Sequence, residues 1–167
     1  MRILGIDPGY AIVGWGVLDH SGNQFSVVDY GAVLTEAHTP FQDRLERIYD
    51  DVTAIIDRYH PTVMAIEKLF FNTNAKTAIY VSQARGVTLL AAVKSGIEIA
   101  EYTPLQVKQS VVGYGRAEKK QVQEMTRIML KLPRIPKPDD TADALALAIC
   151  HGHAGSSALA MLKKAGY

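Results

Sequence analysis

The sequence predicts an α/β fold around one mixed five-stranded sheet, with three antiparallel strands, then parallel additions, and helices on the flanks. Three observations predict it. Short apolar or alternating runs at 3–6, 11–18 and 24–34 are separated by turn residues, the pattern of an antiparallel meander. Two later apolar runs, 62–66 and 97–102, alternate with stretches of helical period, the pattern of parallel crossovers. The first and fourth runs each end in an acid, Asp7 and Glu67.

Arg2–Ile6 reads as a buried strand that Asp7, Pro8 and Gly9 terminate. Ala11–Leu18 returns as a hairpin partner, and Gln24–Leu34 alternates as the third strand. Thr39-Pro40-Phe41-Gln42 has the form of a capping box with proline at the first helical position. The helix that follows repeats Phe41, Leu45, Ile48, Tyr49, Val52, Ile55, Ile56 and Tyr59 at helical spacing, and Pro61 stops it. Its Asp43, Glu46, Asp50, Asp51 and Asp57 read as a solvated face. Thr62–Ile66 is the fourth strand, and right-handed crossover places it beside the first. Residues 68–74 read as a loop and Ala75–Lys94 as a helix, in which Gly86 points to a close packing contact. Ile97–Tyr102 is the fifth strand. Pro104 opens a short helix to Val112, Gly113-Tyr114-Gly115 turns, and Ala117–Leu130 is a helix with a basic outer face. A proline-rich linker, 132–138, precedes a last helix capped by Asp139 or Asp140 and running to Ile149. The tail from Gly152 has small residues and weak pattern, as a loose or partly helical segment would.

The 167 residues suit one domain, and nearly half are hydrophobic. No apolar run reaches membrane-spanning length, Asp7 and Pro8 interrupt any signal-peptide pattern, and one cysteine suits a reducing cytoplasm. Charge is unevenly spread. Residues 1–67 carry four Lys/Arg against ten Asp/Glu, and residues 68–137 carry twelve against four. Such asymmetry points to an anion-binding surface.

Four carboxylates stand out: Asp7, Glu67, Asp140 and Asp143. Asp140 and Asp143 share a helix face at a spacing of three, but Asp139 and Asp143 share one at four, so spacing leaves the pair open. Asp7 could merely cap its turn, and Asp139 and Asp140 could merely suit the helix dipole. Asp143 fits that plainer account less well, because its neighbours are apolar. Clustered carboxylates cannot all stay ionised without cations. Oxygen ligands favour Mg²⁺ or Mn²⁺, and two such ions about 4 Å apart serve in-line displacement at phosphorus. His151 and His153, a lone pair at alternate positions, read as surface residues.

With these residues in view the sequence resembles the RuvC family of Holliday junction resolvases, within the ribonuclease H-like fold. The resemblance rests on Gly5-Ile6-Asp7-Pro8-Gly9; Ile66-Glu67 with Phe70 and Asn74; Gln83-Ala84-Arg85-Gly86; Gln106-Val107-Lys108-Gln109; Val111-Val112-Gly113 with Gly115; Ala117-Glu118-Lys119 with Gln121-Val122; and Asp140-Thr141-Ala142-Asp143-Ala144-Leu145-Ala146. It covers residues 1–153 as a nuclease domain and leaves 154–167 as a tail. It implies a homodimeric endonuclease that nicks opposing strands of a four-way DNA junction in recombination and repair, and that works with a branch-migration helicase complex. It further implies that Asp7, Glu67, Asp140 and Asp143 are catalytic and hold Mg²⁺, two ions per site with Mn²⁺ as a substitute. The family pattern selects Asp140 with Asp143 and leaves Asp139 as an extra acid.

The DNA-contacting aromatic of the family falls on Phe70, as a wedge or stacking platform worth about 1–3 kcal/mol, with Phe71 adjacent and unassigned. Lys76, Lys108, Arg116, Lys119 and Lys120 are the basic candidates for phosphate, with Lys108 and Lys119 matching the family pattern. Arg85 is a further candidate, for phosphate or for a dimer contact on the Gln83–Gly86 helix. Three rivals stand beside this reading: an RNA-processing nuclease of the same fold, an actin-like or sugar-kinase-like ATPase, and a junction-binding protein without activity. The ATPase needs a second phosphate-binding glycine turn that the sequence lacks. Retention of all four acids speaks against an inactive binder.

Overall fold

The computed structural model describes residues 1–69 and 75–164, with side chains described for 1–69 and 77–155. Strands β1 (Arg2–Asp7), β2 (Ile12–Ser21) and β3 (Gln24–Leu34) form the meander. Helix α1 (Phe41–Tyr59) leads to β4 (Val63–Glu67), α2 (Ala75–Lys94) to β5 (Glu98–Tyr102), and α3 (Pro104–Val112), α4 (Lys119–Met129) and α5 (Asp139–Lys164) follow. The sheet order is β3-β2-β1-β4-β5, with β1 at the centre. β1 pairs antiparallel with β2 and parallel with β4, and β4 pairs parallel with β5.

Alternation along the central strands divides the core into two layers. Ile3, Leu18, Val63 and Ala65 face α3, α4 and α5, packing on Val111, Val122, Leu145 and Ile149. Leu4, Ile6, Val13, Val17, Met64 and Ile66 face α1 and α2, packing on Ile48, Val52, Ile56, Ala84 and Ala91. On the first face α5 lies directly on strand backbone. A β-carbon at Gly5 would stand 1.9 Å from the carbonyl oxygen of Ala144, and one at Gly14 would stand 2.0 Å from that of Asp140. Only glycine permits that approach.

Several local expectations are corrected. The Thr39 capping box does not form. Pro40 is itself the cap residue, with no side-chain bond, and its carbonyl accepts from the amides of Asp43 and Arg44 at 3.1 and 3.2 Å. Capping boxes occur instead at Thr103/Gln106 and Glu118/Gln121, opening α3 and α4. A β-carbon added at Gly86 would meet no heavy atom of the described chain within 4 Å, so this glycine serves no close contact inside the described residues. His151 and His153 are half-buried. The Tyr102 hydroxyl lies 2.7 Å from Nδ1 of His151, and the Ser110 hydroxyl 3.1 Å from Nδ1 of His153, tying β5 and α3 to α5. The last helix continues past His153 to Lys164.

Candidate active site

Asp7 and Glu67 close β1 and β4, one step beyond the paired Ile6 and Ile66, so the parallel register sets them side by side. Asp143 comes from the second turn of α5, which the glycine contacts hold against β1 and β2. Lys119 is the first residue of α4, aimed by the Glu118/Gln121 box. Asp7, Glu67, Asp143 and Lys119 line one cavity of about 190 Å³. Pro104, Val107 and Lys108 of α3 and Val122, Ala146 and Leu147 complete its wall.

The electrostatics follow from this crowding. Burial first, then the charges of Glu67, Asp143 and Asp140, push the Asp7 carboxyl up to about 8, while Lys119 acts in the opposite sense. Burial and Asp143 likewise raise Glu67. The Lys119 ammonium pairs with Asp143 at 2.7 Å. Burial works against its charge, but that pairing prevails and its pKa is raised. A cluster of carboxylates that cannot all ionise alone attracts positive charge. Its donors are all oxygen, the set preferred by hard divalent cations. Among the described residues no three carboxylates or imidazoles close around one point as a ready cage.

Asp140 stands apart from the other three. It is half-buried and does not line the cavity; its carbonyl abuts Gly14, and its charge adds to the field at Asp7. Asp139 is drawn to Lys137 at 2.5 Å, and that bond holds it below the usual carboxylate range. Of the basic candidates, Lys108 is half-buried in the cavity wall, and Arg116, Lys119 and Lys120 are exposed around the start of α4. Phe70, and the side chain of Lys76, lie outside the described residues.

Arg85 does not stand free for phosphate. Its side chain is 13% exposed, pairs with Glu101, and donates from Nε to the carbonyl oxygen of Glu67 at 3.1 Å. Sequence reasoning also passed over the two capping boxes that set α3 and α4, although Thr103-x-x-Gln106 carries the usual signature.

A family model described as "Crossover junction endodeoxyribonuclease RuvC" matches residues 3–151. A curated relative of that name from Ruminiclostridium cellulolyticum is 61% identical over 153 residues, covering 92% of each chain. Another, from Caldanaerobacter subterraneus subsp. tengcongensis, is 53% identical over 167 residues, covering 100% of this chain and 99% of the relative. Among solved structures, T. thermophilus RuvC in complex with Holliday junction substrate superposes with a TM-score of 0.89 at 34% identity, covering 95% of this chain and 96% of that one. The sheet order, the carboxylates at its strand ends and these matches agree: the chain belongs to the RuvC family of crossover junction endodeoxyribonucleases.

Proposed function

We propose that this chain resolves four-way DNA junctions by paired, symmetric hydrolytic nicks. One observation carries the reading: Asp7, Glu67 and Asp143, distant in sequence, meet in one cavity beside Lys119. Asp7, Glu67 and Asp143, with Asp140 behind them, would hold two Mg²⁺ ions, or Mn²⁺ in their place, which supply positive charge for displacement at phosphorus. The protein's own groups bind and orient. Lys119 and Lys108 set a phosphate at the cavity mouth, and Arg116 and Lys120 extend the positive border along the backbone. Val107, Val122 and Leu147 line the apolar wall. Phe70 and Lys76 are proposed as further DNA contacts on the resemblance alone.

A homodimer is part of the proposal, because two strands must be cut at related positions. Helix α2 supports it. Ile79, Gln83, Gly86, Leu90 and Val93 recur at three- and four-residue spacing and are exposed, with Leu90 at 50% and Val93 at 64%. Such a stripe matches a helix-to-helix seam, and Gly86 would admit close approach there. Work with a branch-migration helicase complex and a cytoplasmic location follow from the same reading. No described helix is long and apolar enough to cross a membrane. DNA is preferred to RNA because the relatives carry the endodeoxyribonuclease name.

The test is cleavage of a synthetic four-way junction with Mg²⁺, mapped at nucleotide resolution, beside linear duplex and RNA. Paired nicks at symmetric positions in the junction alone are the expected result. Equal cutting of linear duplex or RNA would overturn it.

A further inference from the structure

Helix α2 packs on β4 through Ala84 and Ala91, and one of its polar side chains reaches the end of that strand. Arg85 donates from Nε to the carbonyl oxygen of Glu67 at 3.1 Å, and its Nη2 pairs with Glu101. Glu67 ends β4, and Glu101 stands opposite Ile66 on β5. One guanidinium therefore spans the ends of two parallel strands. Just beyond, the amide of Lys68 donates to the carbonyl of Tyr102 at 2.8 Å and completes the edge.

Two features distinguish this from an ordinary ion pair. Arg85 grips Glu67 by its main chain and leaves its carboxylate facing the cavity. Glu101 meanwhile matches the charge of the guanidinium. Arg85 also lies between Ala84, which is fully buried, and Gly86, which is on the exposed stripe. The helix proposed to meet a second copy is thus the one that holds the strand end.

We infer that Arg85 is a positioning residue: it fixes the main chain of Glu67, while Glu101 holds the guanidinium in place. The inference deepens the proposed function and rests on it for its kinetic readout. Arg85→Lys keeps the charge but cannot bond both partners with one fork. Glu101→Gln keeps an acceptor and removes the charge that holds Arg85.

The experiment compares wild type, Arg85→Lys, Glu101→Gln and Glu67→Gln. It measures single-turnover junction cleavage, junction affinity without divalent ion, dimer mass, Tm, and Mn²⁺ affinity by titration calorimetry. Arg85→Lys should cut at least about tenfold more slowly, the loss expected when a reacting group is slightly misplaced, with junction affinity, dimer mass and Tm near wild type. Glu101→Gln should bind Mn²⁺ several-fold more weakly. Unchanged cleavage in Arg85→Lys, or a loss matched by equal losses of binding and Tm in both variants, overturns the inference. If wild type leaves the junction intact, the proposed function fails; Mn²⁺ affinity then decides Arg85, and equal affinity in wild type, Arg85→Lys and Glu101→Gln overturns its role.

Discussion

Asp7 and Glu67 end adjacent parallel strands at the same level, so the backbone register itself forces two carboxylates into one cavity. Their mutual repulsion, added to burial, is the electrostatic signature of the site.

Asp7→Asn and Glu67→Gln should each abolish cutting and leave junction binding close to wild type. Both acids are more deeply buried than Arg116, Lys119 and Lys120, the exposed positive groups proposed for phosphate. Gel-shift affinity measured beside nicking rate checks this, and near-normal nicking by either variant would remove that acid from the mechanism.

The raised pKa of Asp7 makes a prediction about stability without metal. Its folded value, about 8, exceeds the unfolded value near 3.8. The folded state therefore binds the extra proton, and this group lowers stability progressively as pH rises from about 4 to about 8. Glu67 adds in the same direction. In chelator, Asp7→Asn should melt above wild type at pH 8.5, with the gap shrinking towards pH 5. A relief of about 2 kcal/mol corresponds to roughly 4–8 °C in a chain of this size. A gap that does not change with pH would refute the linkage.

Lys119→Ala should affect both rate and salt response. Lys119 pairs with Asp143 at 2.7 Å and borders the cavity. Loss of a positioned charge of this type slows chemistry on the order of 10²-fold. If the ammonium also meets phosphate, the slope of log affinity against log salt falls by about one. Affinity measured across a salt series reads the second effect.

Charges placed on the α2 stripe should dissociate the dimer. Leu90→Glu with Val93→Glu puts two carboxylates on an exposed face that otherwise carries no charge. Sedimentation should then give the monomer mass at micromolar concentration, with Tm little changed because neither side chain packs in the core. A dimer that survives this change places the interface elsewhere.

Gly14→Ala should cost about 1–3 kcal/mol or more through overpacking. The new methyl would meet the Asp140 carbonyl oxygen, which is main chain and cannot rotate away. Thermal unfolding and nicking rate should both fall, since lifting α5 carries Asp143 away from Asp7. A variant of full stability would mean that the helix yields at little cost.

Much of this was legible in the chain alone, for identifiable reasons. Period-two and helical patterns, broken by Pro61 and Pro104, locate all five strands and the first helices. Acids that follow apolar runs at Asp7 and Glu67 mark the strand ends that meet at the cavity. Where the reading erred, two local solutions competed. Thr39-Pro40 satisfies a capping signature, but the proline carbonyl takes the cap and the threonine is left outside. Arg85 looked free to meet phosphate, because nothing in the sequence shows that Glu101 and the Glu67 carbonyl lie within its reach. His151 and His153 looked solvent-facing, because their partners Tyr102 and Ser110 belong to other elements.

Where α5 meets β1 and β2, main chain touches main chain with no side chain between them. The distance between that helix and the sheet is thus a constant of the polypeptide, independent of which apolar groups fill the interior. Core residues farther along can be exchanged for others of similar size without altering the gauge at which Asp143 faces Asp7. The two glycines therefore set the spacing of the candidate site through main chain alone.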